Sequence, residues 1–128
     1  MTRKLAAVTC LVRDYDEAIA WFVGALDFVL VEDVALAESK RWVMVEAPGG
    51  GSRLLLARAD GAEQEAAIGH AAGGRVAFFL YTDDFARDHA ALLARGVNFR
   101  EAPRLEAYGT VAVFEDLFGN AWDLIEQE

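Results

Sequence analysis

The sequence predicts an α+β fold built from two tandem β-α-β-β-β modules, about residues 5–57 and 74–127 of a single 128-residue domain. A hairpin pattern occurs twice: Val43 to Leu56 aligns with Ala112 to Ile125, with Glu46 matching Glu115 and Gly50 matching Gly119 at one constant offset. Upstream of each copy stands the same succession of an apolar strand, an acidic start, an amphipathic helical pattern and another apolar strand. The two modules are therefore expected to superpose as an internal repeat related by an approximate two-fold axis.

Ala6 to Val12 is a short apolar strand bounded by Arg13-Asp14. The two-residue period puts Val8, Cys10 and Val12 on one face and Ala7, Thr9 and Leu11 on the other. Asp14 and Asp16 suit a helix cap and first turn, and Ala18, Ile19, Phe22 and Leu26 follow at helical spacing, with Trp21 packing beside that stripe. Strands follow at Phe28 to Val34 and Arg41 to Val45, and Pro48-Gly49-Gly50-Gly51-Ser52 turns one strand into the next. That glycine run is no phosphate cradle: it lacks the spacing of a dinucleotide fingerprint and the Lys-Ser/Thr of a P-loop, and it does not lead into a helix.

Residues 58–73, rich in Ala and Gly and without strong periodicity, read as a linker in which His70 is a solvated loop residue. The second module opens on Val76 to Tyr81, continues through a helix from Asp84 to Arg95 that carries His89 on its surface, and ends that helix at Gly96. A strand is expected at Val97 to Phe99. Tyr108 to Ile125 closes the chain as a hairpin whose turn, Asp116-Leu117-Phe118-Gly119-Asn120, tolerates positive φ at Gly and Asn.

Composition narrows the function classes. A formal charge of −9, with the 12 basic residues scattered, disfavours nucleic acid and anionic membranes as partners. No apolar run approaches the roughly 20 residues that span a bilayer, and the N-terminus is too short for a secretory signal, so a cytoplasmic protein is expected. Cys10 is the only cysteine, which excludes an intrachain disulfide and a cysteine-rich zinc site.

The two modules, the Val-x-Asp start of the first helix, the step Gly96-Val97-Asn98-Phe99, and the closing Phe-Glu-Asp-x-x-Gly-Asn-x-Trp-Asp-Leu-Ile of Phe114 to Ile125 together resemble the vicinal oxygen chelate superfamily. That superfamily includes glyoxalase I, bleomycin-resistance proteins and extradiol dioxygenases. The resemblance implies strands that curl into a cup-shaped mixed sheet with the helices outside, and a homodimer. In its metal-dependent members a cation is held by a His on the first strand and an acid on the last strand of each module. Carried over, those positions fall at Ala7, at about Leu54, at Arg75 (or Val76 or Ala77 under a shifted register) and at Asp123. Only Asp123 can ligate, so neither a metal nor another cofactor is expected.

The first functional expectation is therefore a metal-free small-molecule binder, with the ligand in the cup between modules. Its aromatic walls would come from Phe79, Tyr81, Tyr108 and Trp42, and its polar anchors from Arg75 and Asp123, which are expected to pair or to orient the ligand. The alternative is an enzyme of the same fold, a lyase, isomerase or dioxygenase, with a relocated metal or with acid–base chemistry by Asp123, Glu115 or Tyr108. Nucleophilic Ser-His-Asp or Cys-His chemistry lacks support, because Cys10 falls on the helix side of its strand and neither His has an evident partner.

Overall fold

The computed structural model describes residues 1–128, which divide into two compact units, Met1–Ile68 and Gly69–Glu128. Each unit carries one four-stranded mixed sheet, so the chain is two tandem β-α-β-β-β modules. No helix is long and apolar enough to cross a membrane.

The first unit runs β1 (Ala7–Val12), α1 (Tyr15–Leu26), β2 (Val29–Ala37), β3 (Lys40–Glu46), β4 (Arg53–Arg58) and α2 (Ala62–Ala67). Its strand order is β1-β4-β3-β2, with β1 parallel to β4 and the other pairs antiparallel. The Asp14 side chain caps α1 by accepting from the Glu17 amide at 2.8 Å, and the helix buries Ala18, Phe22 and Leu26. Against them the sheet buries Cys10, Val12, Val43, Val45 and Leu56 completely, each aliphatic side chain contributing about 1.5–3 kcal/mol.

The second unit runs β5 (Val76–Tyr81), α3 (Phe85–Ala94), β6 (Arg104–Glu106), β7 (Gly109–Glu115) and β8 (Ala121–Gln127), in the order β5-β8-β7-β6. Asp84 caps α3 through the Arg87 amide, and Gly96 follows the helix at φ 83°. The α3 side of the sheet is aromatic: Phe78, Phe114 and Trp122 pack together and continue through Phe99 to His89 and Phe85.

Three local expectations need correction. The segment 58–73 contains α2, a short helix with no buried residue, which is why no apolar period marks it. His89, expected on the helix surface, is half-buried; it stacks on Phe85 at 5.3 Å and meets the edge of Phe99 at 4.6 Å. The strand expected at Val97 to Phe99 is reduced to one bridge, Phe99 with Phe114, and pairing resumes only at β6. Beyond Phe99 the Glu101 carboxylate takes the Val113 amide at 3.1 Å, a side chain standing where a strand carbonyl would continue the ladder.

Candidate functional site

The strand register assigns the two faces of the second sheet. Trp122 stands beside Phe78 and Phe114, Leu124 beside Leu80 and Ala112, and Glu126 accepts from the Phe85 amide, so these residues share the α3 side. The opposite face holds Asp123 between Phe79 on β5 and Val113 on β7, then Ile125 between Tyr81 and Val111. Beyond Val111 lies Arg104 on β6.

Asp123 is the unusual member of this face. It is only 8 % exposed, and its Oδ1 is buried without a hydrogen-bond partner. Buried carboxylate oxygens are almost always satisfied, which sets Asp123 apart from the rest of this face. Burial pushes the Asp123 carboxyl above the usual carboxylate range; Arg104 pulls it down and Glu101 pushes it up. Beside it Phe79 and Tyr81 are 61 % and 60 % exposed, an apolar step on an edge strand.

Arg104 was not legible as a site residue, yet it organises the far side of the face. Its guanidinium donates to Glu101 at 2.9 Å, to Glu106 at 3.1 Å and to the Tyr108 hydroxyl at 3.4 Å. Tyr108 is thus placed as an acceptor on Arg104. Glu115, the other acid considered, is bound by Arg100 at 2.7 Å. Trp42 belongs to the first unit, on β3, where its indole N–H donates to Glu32 at 3.0 Å.

Arg75 does not pair with Asp123. It is exposed, lies just before β5, and no ion pair joins the two; β5 and β8 are parallel, with Val76 beside Ala121 and Phe79 beside Asp123, so Arg75 stands before the first paired residues and Asp123 further along. The cause is the bulge between Val76 and Phe78, together with a register that two capping residues fix. Asp14 and Asp84 are equivalent caps, and Thr9 beside Leu55 corresponds to Phe79 beside Asp123, so the partner of Ala7 is Ala77. The last-strand position also moves. Met44 pairs with Leu55 as Val113 pairs with Asp123, because the first hairpin turn (47–52) is one residue longer than the second (116–120); Leu55, not Leu54, is the counterpart.

The four positions that the resemblance assigns to metal ligands are therefore Ala7, Leu55, Ala77 and Asp123. Ala7, Leu55 and Ala77 carry hydrocarbon side chains that cannot ligate a divalent cation, and no group of three or more His, Cys, Asp or Glu in the structure is placed to hold one.

The proton on Asp123 gives a pH test. The folded chain holds it more tightly than the unfolded chain, so the stabilisation is complete below the usual carboxylate pKa, near ~4, and is lost as pH rises through the raised folded value. Asp123→Asn removes this loss. Urea unfolding across pH 4 to 7 is expected to show the stability of the variant minus that of the parent increasing as pH rises; a difference that falls with pH would contradict the assignment.

The family model described as Glyoxalase/Bleomycin resistance protein/Dioxygenase superfamily matches residues 4–124. A protein of Shewanella frigidimarina (strain NCIMB 400), described as uncharacterized, is 51% identical over 98% of this chain and 95% of its own. Among solved structures, a member of the same superfamily from Sphaerobacter thermophilus DSM 20745 is 28% identical with a TM-score of 0.84, covering 98% of both chains. A glyoxalase/bleomycin resistance protein from Streptomyces sp. CB03234 is 27% identical with a TM-score of 0.73, covering 95% of this chain and 99% of its own.

Proposed function

This chain belongs to the glyoxalase/bleomycin resistance protein/dioxygenase superfamily, and from that premise we propose that it binds a small molecule, without a metal, against the face of the second sheet that carries Asp123. The observation that carries the reading is the buried, unpartnered Oδ1 of Asp123 beside the exposed rings of Phe79 and Tyr81. Such a face suits a flat apolar molecule bearing a hydroxyl, amide or ammonium donor: the donor satisfies Asp123 and the rings cover the apolar body. The Streptomyces relative is described as a glyoxalase/bleomycin resistance protein, which is in keeping with a small-molecule ligand.

The test is calorimetric titration with a panel of phenols, aryl amines and their donor-free analogues. Donor-bearing members are expected to bind. Phe79→Ala and Tyr81→Ala should each weaken them about tenfold, a loss of about 1.4 kcal/mol, with the unfolding midpoint nearly unchanged because both rings are exposed. Equal binding of donor-free analogues would defeat the reading.

A second reading rests on the raised pKa of Asp123, which suits a general base in a metal-free acid–base step. Turnover of a bound ligand, abolished by Asp123→Asn, is what singles it out.

The proposal includes a homodimer. The edge strand β2 runs from Val29 to Ala37 with Val29, Val34 and Leu36 all exposed, an apolar edge that a second copy would cover. Light scattering is expected to give twice the 14.0 kDa chain mass; a monomer mass at micromolar concentration would refute it.

A further inference from the structure

At the end of the second sheet where β5 and β8 both begin, the loop 69–75 and the hairpin turn 116–120 enclose a pocket of about 240 Å³. Every charged or titratable side chain lining it is basic: His70, Arg75 and Arg100, with no Asp or Glu, in a chain whose formal charge is −9. Arg75 has no carboxylate partner. Arg100 is neutralised by Glu115 at 2.7 Å and anchored on the Gly119 carbonyl at 3.2 Å, which leaves further guanidinium N–H groups free to donate. The amides of Ala72 and Gly74, in the same wall, donate to no group of the chain.

The walls are preformed. Asn120 accepts the Ala71 amide at 3.0 Å through Oδ1 and donates through its amide nitrogen to Asp116 at 2.9 Å, fastening the loop to the turn. Gly69 adopts φ 80°, and a Cβ there would sit 2.2 Å from the Phe118 carbonyl oxygen, so the close approach of loop and turn requires glycine. A site whose walls are already ordered spends little binding energy on ordering them.

We propose that this pocket binds an oxyanion, a carboxylate or phosphate group of a small molecule, with Arg75 supplying the charge and Arg100 a fixed second donor. An unpaired guanidinium with free backbone amides beside it is matched to a group with several acceptor oxygens, and no lining acid repels it. The pocket lies where β8 begins, two residues before Asp123, and Arg75→Gln leaves the Asp123 carboxylate unchanged, so the two proposals are tested by different variants.

The experiment is an amide NMR titration of the full chain with inorganic phosphate and, separately, acetate, at ionic strength held constant with chloride. Saturable shifts are expected at His70 to Arg75 and at Gly119 to Ala121. Arg75→Gln should weaken binding about tenfold or more, the scale of one charge-assisted contact, whereas Arg13→Gln, which removes a cation in the other unit, should change it less than about twofold. Phosphate binding at least about tenfold tighter than acetate assigns the group as a phosphate, and comparable binding assigns a carboxylate. Shifts that never saturate, or equal losses in the two variants, would mean bulk electrostatics and overturn the proposal.

Discussion

Asp116→Ala is expected to cost about 3–5 kcal/mol of stability and to lower the unfolding midpoint by roughly 10–20 °C. Asp116 is buried, and its two oxygens accept four hydrogen bonds: the amides of Phe118 at 2.9 Å and Asn120 at 3.0 Å on Oδ1, and the Asn120 side chain at 2.9 Å and the Trp122 indole at 3.0 Å on Oδ2. Alanine strands these donors, several in the interior, where an unmet donor costs about 1–3 kcal/mol. Asp116→Asn is expected to fall between, since its oxygen still serves the two backbone amides while its NH₂ faces the Asn120 and Trp122 donors. Calorimetry of the three proteins checks the order; an alanine variant as stable as the parent would show the turn to be held by something other than this carboxylate.

Gly109→Ala is expected to cost about 3 kcal/mol or more. The residue adopts φ 144°, and a Cβ would lie 2.0 Å from the Glu126 carbonyl oxygen across the β7–β8 ladder. Both obstacles are backbone, so no rotamer change relieves them. Gly24→Ala in α1 is the matched control: nothing lies within 4 Å of its Cβ, and helix propensity predicts a gain of up to about 1 kcal/mol. Urea unfolding of the pair separates the effects; equal and small changes would contradict the close strand approach.

The architecture was legible because the apolar periods and both acidic caps are local signals: Asp14 and Asp84 start their helices as their spacing implies, and the hairpin around Asp116 is written in one continuous run. The site was legible only in part. Phe79, Tyr81 and Asp123 share a face because alternation is a local rule that survives folding. Arg75 was misplaced by a strand bulge, and Leu54 by a difference of one residue in turn length; both are register effects, invisible to alignment at a constant offset. Aligning the modules on their helix caps selects Ala77 from the three positions considered, and comparing turn lengths points to Leu55. Arg104 left no sequence signal, since β6 is three residues long and follows a ladder interrupted by a side chain, Glu101.

The second sheet is proposed to bind its ligand through Asp123 and without a metal. Calorimetric titration of chelator-treated protein with a donor-bearing aromatic ligand tests it most directly, run beside Asp123→Asn. Binding is expected to be unchanged by the chelator and by added divalent ions, and to be weakened about tenfold or more in the variant, which places an amide donor where an acceptor is needed. Binding that disappears with the chelator and returns with a divalent cation, or that persists undiminished in Asp123→Asn, would contradict it.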